Sequence, residues 1–275
     1  MRPGFSASAG SYDEAAALAR ETGRRMAKRL DFVNLSPRRM ADVGCATGDG
    51  IRELQRRYPR ALPLAVDFAF PMLAAVRSRM PLLARLRGMT PRLVNADVRT
   101  LPLASGCLDL AWSNLMLHWL DDPLPAFAEL NRALAPGGLL TFAMLGPDTL
   151  KELRAAGATG IRRFPDMHDV GDLLLAAGFA DPVTDMEMIA LTYASPRGLL
   201  RDQRHLGVRD GLLGHLPRRD WRRVFDAWER VDGRLPASFE IIYGHAWKGE
   251  RRAILGQPIH VFRGTRHANL PPRDL

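Results

Sequence analysis

Five short apolar segments alternate with amphipathic segments in the first half of this chain of 275 residues. The apolar segments have the length of buried strands, and the amphipathic ones have the period of helices with one apolar face. Consecutive parallel strands need a crossover connection, which is usually a helix. The sequence therefore predicts an α/β fold with a Rossmann-like, mostly parallel sheet and helices on both faces. Strands are predicted at 39–43, 62–66, 92–95, 108–113 and 139–145, and helices at 18–30, 49–57, 71–80 and 123–134.

The second half of the chain is less regular. It predicts helices at 169–177, 197–206 and 220–231, and strands at 187–193, 239–247 and 259–262. We expect residues 1–275 to form a single domain. Within it, residues 146–165 and 194–236 are expected to be insertions that form a helical lid over the site.

Composition narrows the class of protein. Hydrophobic residues make up 47% of the chain and charged residues 25%, which is typical of a globular protein with a packed core. No apolar run approaches the roughly 18 residues of a membrane span, and the start of the chain lacks the apolar centre of a signal peptide. We therefore expect a cytoplasmic protein with no membrane partner. Cys45 and Cys107 form no CxxC pair, so they indicate neither a disulfide framework nor a metal site.

The net charge of +9 favours an acidic partner. The basic residues occur in short clusters, without the interleaved aromatic residues of an RNA-binding signature. Nucleic acid is one candidate for this partner, although without that signature it is not the one we expect, and an acidic carrier protein is another. An arginine-rich solvated surface without any partner explains the charge equally well.

Glycines and carboxylates follow the predicted strands, at the edge where parallel sheets bind ligands. Gly44 and Gly48 in the first turn allow the backbone to approach a ligand, but Ala46 breaks the GxGxxG dinucleotide pattern. Asp67 ends the second strand and can accept hydrogen bonds from two vicinal ribose hydroxyls; Asp97 ends the third and can accept one from an adenine amino group. Either aspartate alone is also common in turns and helix caps. Their combination predicts a nucleoside-type ligand.

In these segments the chain resembles the class I S-adenosylmethionine-dependent methyltransferases. The resemblance covers 42–48, 64–73, 95–102, 108–119 and 134–140. It implies S-adenosyl-L-methionine as the cofactor, with Asp67 on the ribose and Asn114 facing the methionine end. It also implies that Gly44 and Gly48 line the methionine moiety. The family usually has glycine where this chain has Ala46. The cofactor-binding residues that we infer are Asp42, Gly44, Ala46, Gly48, Asp67, Phe68, Met72, Asp97, Val98 and Asn114.

A closer resemblance extends over nearly the whole chain. The segments similar to the malonyl-[acyl-carrier protein] O-methyltransferases of biotin synthesis are Phe5 with 11–16, 113–114 with Trp119, 146–153, 166–169, 191–193, 200–201 with Gly207, and 242–247. The resemblance implies transfer of a methyl group from S-adenosylmethionine to the free carboxylate of a malonyl thioester. The partner that it implies is the acyl carrier protein, and the methyl ester formed primes pimeloyl synthesis.

Three residues are candidates for catalysis. A malonyl carboxylate is already ionised at pH 7, so the reaction needs positioning rather than a base or a metal. Arg201 is expected to grip one carboxylate oxygen, which would distinguish malonyl from acetyl groups. Tyr12 is expected to close over the reacting groups, and His118 to line the acceptor pocket. A surface arginine, an ordinary aromatic and a structural histidine are the alternative explanations. The candidates for docking the carrier protein are Arg204, Arg218, Arg219, Arg222 and Arg223, among which the sequence does not discriminate.

Other functions remain open at this stage. A related enzyme on the same fold could modify a protein arginine, as an assembly factor of respiratory complex I does, or methylate a small molecule. A binding protein with a degenerate pocket is supported only by Ala46. A nucleic-acid methyltransferase is suggested by charge alone, because residues 113–116 lack the Asn/Asp-Pro-Pro-aromatic signature of amino-group methyltransferases.

Overall fold

The computed structural model describes residues 2–80 and 90–249. The strand predicted at 259–262 therefore lies outside the described residues. None of the helices in the described part of the chain is long and apolar enough to cross a membrane.

Within the described residues, seven strands form one sheet in the order β3-β2-β1-β4-β5-β7-β6. The first five are parallel to one another, and β7 runs antiparallel to its two neighbours, β5 and β6. This confirms the Rossmann-like, mostly parallel sheet. The strands are β1 (Arg39–Val43), β2 (Leu62–Asp67), β3 (Arg92–Asn95), β4 (Leu108–Asn114), β5 (Leu134–Leu145), β6 (Phe179–Tyr193) and β7 (Leu235–Lys248).

Helices cover both faces of the sheet. Those packed on one face bury Met26, Ile51 and Leu54 against it, and those on the other bury Phe127 and Leu174. The helices are α1 (Arg2–Ser8), α2 (Tyr12–Ala15), α3 (Ala17–Arg29), α4 (Asp49–Arg57), α5 (Phe70–Ser78), α6 (Leu124–Ala133), α7 (Lys151–Ala155), α8 (Met167–Ala176), α9 (Pro196–His205), α10 (Arg209–Leu213) and α11 (Arg218–Ala227).

Element boundaries differ from the predictions where a tertiary contact decides them. The helix predicted to reach residue 231 ends at Ala227, because Trp228 takes an extended conformation and its buried indole donates a hydrogen bond to the carbonyl of Pro236 at 2.9 Å. β6 begins at Phe179 rather than at 187, since its first half is an edge segment with no apolar alternation. β5 begins at Leu134, which pairs with Leu108 directly after α6.

The N-terminal helices α1 and α2 were not predicted as helices. The backbone of Gly4 in α1 lies so close to that of Gly207, just after α9, that a Cβ on Gly4 would be 2.4 Å from the Gly207 carbonyl oxygen. This contact joins residues that are far apart in the sequence. It places α1 beside α9 at the carboxyl-terminal edge of the sheet.

Candidate active site

A cavity of about 610 Å³ lies beyond the carboxyl ends of β1, β2 and β4. Its volume is within the range of roughly 300 to 1,000 Å³ that is usual for small-molecule sites. We call it the cofactor cavity. It brings together most of the residues predicted to bind the cofactor: Gly44, Ala46, Asp67, Phe68, Met72, Asp97, Val98 and Asn114.

Asp67 is held in a fixed orientation at the end of β2. Its Oδ2 accepts a hydrogen bond from the amide of Ala46 at 3.0 Å, and its Oδ1 accepts one from the amide of Ala69 at 2.8 Å. The residue is 7% exposed, and burial raises the pKa of its carboxyl above the ordinary value although these amides oppose the shift. The carboxylate oxygens keep further acceptor capacity for hydroxyls in the cavity.

Two glycines shape the turn after β1 in different ways. Gly44 has φ +78°, and a Cβ there would lie 2.4 Å from Met116 Cγ, so only glycine leaves this part of the cavity wall in place. Gly48 has φ +92° and precedes α4, where a Cβ would meet Val76 at 3.1 Å. Gly48 does not line the cofactor cavity. It therefore shapes the turn and does not contact a ligand in the cavity directly.

Ala46 lies between these glycines with φ +43°, a conformation that costs an alanine about 1 to 2 kcal/mol. We expect Ala46→Gly to raise the free energy of unfolding by about 1 kcal/mol, because it removes this strain. Denaturant unfolding measures the change. The control is Ala74→Gly on the exposed side of α5, which should lower stability by a similar amount. A loss of stability in both variants would contradict the assignment of strain to Ala46.

Asp42 lies beneath the turn rather than in the cofactor cavity. Its carboxylate is 2% exposed and accepts a hydrogen bond from the amide of Ile51 in α4. A Cβ on Gly50 would lie 2.6 Å from Asp42 Oδ2 and 2.9 Å from the indole nitrogen of Trp112, so the absence of a side chain at Gly50 lets these buried groups approach. Asp42 therefore positions the start of α4. Burial raises its pKa to about 7.

This pKa predicts how Asp42 affects stability. The folded protein keeps a proton that the unfolded chain loses near pH 4, so the stability contributed by this group falls as pH rises from about 4 to about 7. Asparagine at this position does not titrate. We therefore expect the difference in free energy of unfolding between Asp42→Asn and the wild type to shift in favour of the variant by about 2 to 3 kcal/mol from pH 5 to pH 8. Urea unfolding at the two pH values measures this. An equal stability difference at both would disprove the elevated pKa.

Asn114 lines the cofactor cavity, but its amide is committed to α3. Its Nδ2 donates to the carbonyl of Ala19 at 2.7 Å, and its Oδ1 lies 2.8 Å from the hydroxyl of Thr22. These bonds fix α3 against the end of β4. Its predicted place at the methionine end remains a prediction.

At the opposite side of the cavity, Asp97 accepts hydrogen bonds from the amide and the guanidinium of Arg99. Val98 beside it is buried. The carboxylate is thereby held at the cavity wall, where the adenine contact was predicted.

A second pocket adjoins the cofactor cavity and shares Phe5, Tyr12, Leu115 and Trp119 with it. We call it the acceptor pocket. Most of its wall is apolar and comes from α3, the end of β5, β6 and α9. Residues of the expected lid segment 194–236 line it, whereas no residue of 146–165 lines either space. The lid role of these two segments remains a prediction.

His118 lines the acceptor pocket as a neutral hydrogen-bond donor. Its Nδ1 accepts from the amide of Leu145 at 3.3 Å, which assigns the proton to Nε2. Burial, and secondarily Arg162, lowers its pKa to about 3, so the ring is uncharged near neutral pH. The Nε2 has no partner within the described residues.

Two further polar side chains border the same pocket. Burial raises the pKa of Tyr12 well above its ordinary value, with Asp67 adding to the shift, so its phenol stays protonated. Gln203, on α9, is 3% exposed, and its Oε1 has no partner within the described residues. The pocket thus combines apolar walls with the uncharged polar groups of Tyr12, His118 and Gln203, and Asp202 also lines it.

Arg201 lies apart from these groups. Its side chain is 71% exposed, its nearest carboxylate is that of Asp202 at 3.8 Å, and it lines neither space. The structure therefore does not bring Arg201 together with Tyr12 and His118. The grip on a malonyl carboxylate remains a prediction that this placement does not favour.

Sequence reasoning missed Asp13, which positions Tyr12. Its Oδ1 accepts from the Thr47 hydroxyl at 2.6 Å, and its Oδ2 lies 2.5 Å from the Arg79 guanidinium. These contacts hold α2 across the glycine turn. The segment 11–16 carried a family signal, but the partners of Asp13 are distant in sequence.

Comparisons with known proteins agree with this geometry. A family model described as a methyltransferase domain matches residues 41–142. The chain is 46% identical over 266 residues to the malonyl-[acyl-carrier protein] O-methyltransferase of Laribacter hongkongensis, covering 92% of this chain and 90% of that protein. It is 44% identical over 260 residues to the enzyme of the same name from Gallionella capsiferriformans, covering 90% of each.

Solved structures share the fold. The YcgJ protein of Bacillus subtilis superimposes with a TM-score of 0.59 at 16% identity, covering 84% of this chain and 99% of that one. Phosphoethanolamine N-methyltransferase 2 of Haemonchus contortus, in complex with S-adenosyl-L-methionine, gives a TM-score of 0.56 at 16% identity, covering 88% and 57%. The identity to the two sequence relatives extends over nearly the whole chain and therefore shows more than a shared fold. The chain belongs to the malonyl-[acyl-carrier protein] O-methyltransferase family.

Proposed function

We propose that this protein transfers the methyl group of S-adenosyl-L-methionine to the free carboxylate of a malonyl group carried by acyl carrier protein. The observation that carries the proposal is the acceptor pocket, which adjoins the cofactor cavity and shares four wall residues with it. A methyl donor in one space and an acceptor in the other would meet at Tyr12, Leu115 and Trp119. The cytoplasmic location expected from the sequence is part of the proposal.

The residues of the cofactor cavity fit S-adenosyl-L-methionine. Asp67 offers a fixed carboxylate to the ribose hydroxyls, and the absence of a side chain at Gly44 lets Met116 pack against the turn without pushing the cavity wall outward. Asp97 and Val98 border the region proposed for adenine. When bound, the cofactor supplies a methyl group activated by its sulfonium.

The acceptor pocket would orient the malonyl carboxylate without removing a proton from it. The phenol of Tyr12 and the Nε2–H of His118 are uncharged donors that can hold the oxygen that does not react. The apolar walls exclude water from the attacking oxygen, and the reaction gains from alignment and desolvation. An acetyl group has no carboxylate to accept these bonds, which would give the preference for malonyl.

The test is transfer of labelled methyl from S-adenosylmethionine to malonyl-[acyl-carrier protein], with acetyl-[acyl-carrier protein] as the control. We expect label on the malonyl form alone, released by base as methanol. Label on neither form, in a preparation that binds the cofactor, would refute the proposed acceptor while leaving the methyltransferase family unchanged.

A further inference from the structure

We propose that the outer face of α9, formed by Arg197, Arg201 and Arg204, is the surface on which the acidic carrier protein docks. The inference rests on the proposed function, and it names the contact that delivers the acceptor. It also gives Arg201 a role that matches its position.

The helix α9 has two chemically different faces. Leu199 and Gln203 are buried, and Gln203 lines the acceptor pocket. Arg197, Arg201 and Arg204 stand at positions i, i+4 and i+7 and are all exposed. Side chains with this spacing share one side of a helix. One helix therefore forms a wall of the acceptor pocket on its inner side and carries three guanidinium groups on its outer side.

These guanidinium groups are available to a partner. Within residues 2–80 and 90–249, Arg197 and Arg204 take part in no ion pair. Arg201 has one long ion pair, at 3.8 Å, with its neighbour Asp202. The helix itself is held in place, because His205 Nδ1 lies 3.2 Å from a carboxylate oxygen of Glu14 in α2. A positioned row of positive charges, two of them without an ion pair among the described residues, complements an acidic protein surface.

A second arginine-rich helix, α11, is a less suitable docking site. Its Arg219 and Arg223 both approach Asp220, at 3.6 and 3.8 Å, which offsets part of their charge. No residue of α11 lines the acceptor pocket. A carrier docked on α9 would stand directly beside the pocket that its acyl group must enter, whereas α11 offers the same charge without that proximity. The α11 arginines therefore provide a matched control.

The experiment compares two double variants, Arg197→Glu/Arg204→Glu on α9 and Arg218→Glu/Arg222→Glu on α11. Each is assayed with malonyl-[acyl-carrier protein] and with malonyl-pantetheine, which has the same thioester but no carrier. For the α9 variant we expect kcat/KM to fall about 30-fold or more with the carrier substrate and to stay at the wild-type value with malonyl-pantetheine. The α11 variant should change less than about threefold with either substrate.

Two outcomes would overturn the docking surface. One is a loss of kcat/KM in the α9 variant that is the same with both substrates. The other is a loss of kcat/KM with the carrier substrate that is as large in the α11 variant as in the α9 variant. Arg201→Ala separates the two roles of that residue. A loss confined to the carrier substrate supports docking, whereas an equal loss with malonyl-pantetheine assigns Arg201 to the pocket and removes it from the surface.

Failure of the proposed function would be visible separately, since the wild type would then methylate neither substrate. Fluorescence anisotropy of labelled holo-acyl carrier protein would still test the docking surface directly. Weaker binding to the α9 variant than to the α11 variant supports it, and equal binding, or none to the wild type, refutes it.

Discussion

Replacement of Asp67 by alanine is expected to raise the dissociation constant for S-adenosyl-L-methionine by about 100-fold or more. Hydrogen bonds to a charged group contribute about 1.5 to 3 kcal/mol each, and the carboxylate is proposed to accept two from the ribose. The same change removes the acceptor for the amides of Ala46 and Ala69. The glycine turn would therefore lose its anchor as well as its ligand contact. Isothermal titration calorimetry measures the affinity.

Asp109→Ala is the matched control for this variant. Asp109 Oδ2 also accepts hydrogen bonds from two backbone amides, those of Arg38 and Arg39, both at 2.9 Å. Asp109 lies in β4 beside the start of β1, away from the carboxyl ends of the strands, and does not line the cofactor cavity. It should therefore lose stability and retain cofactor affinity. Wild-type affinity in Asp67→Ala would remove Asp67 from the proposed site.

Gly207→Ala is expected to lower kcat/KM for malonyl-[acyl-carrier protein] about tenfold or more. Gly207 has φ +73°, and its Cβ would lie 2.5 Å from the carbonyl oxygen of Gly4. A backbone atom cannot rotate away as a side chain can, so α1 must move off α9. Because α1 carries Phe5, which lines both the cofactor cavity and the acceptor pocket, the movement would admit water to the reacting carboxylate.

Gly233→Ala separates this clash from the cost of the backbone conformation. Gly233 has φ +74°, nearly the value at Gly207, but a Cβ there would meet nothing within 4 Å. The control should lose about 1 kcal/mol of stability and keep its activity. Steady-state kinetics and denaturant unfolding on both variants give the comparison. Equal activity in the two would show that the contact of α1 with α9 does not seal the pocket.

The parallel half of the fold could be predicted from the local pattern of apolar and polar residues. Strand β1 was predicted with its observed limits, and the predicted and observed limits of α4 also coincide, because buried strands and amphipathic helices have distinct periods. Asp67 and Asp97 were found for the same reason, since strand ends in a parallel sheet meet at one edge. The helix α1 was not readable, since its position depends on the close approach of Gly4 to Gly207.

The acceptor side shows how a local signal was overlooked. Leu199, Gln203 and Leu206 are spaced as one face of a helix, and that phase places Arg201 on the opposite side. The helix was predicted at 197–206, but Arg201 was assigned to the site from the family resemblance and not from its phase on that helix. The commitment of Asn114 to α3 and the hydrogen bond of His118 to Leu145 depend on contacts between distant segments, which no local pattern reports.

The position of β7 has a consequence for how this chain acquires its structure during synthesis. β7 pairs with β5 on one side and with β6 on the other, and its segment is made after both of them. Until it emerges, β5 has an apolar edge with no neighbour, which invites aggregation. The helices α9 to α11 lie between β6 and β7 in the chain. The nascent protein therefore gains a continuous sheet and a covered acceptor pocket in the same late step, whose long-range pairing is intrinsically slow.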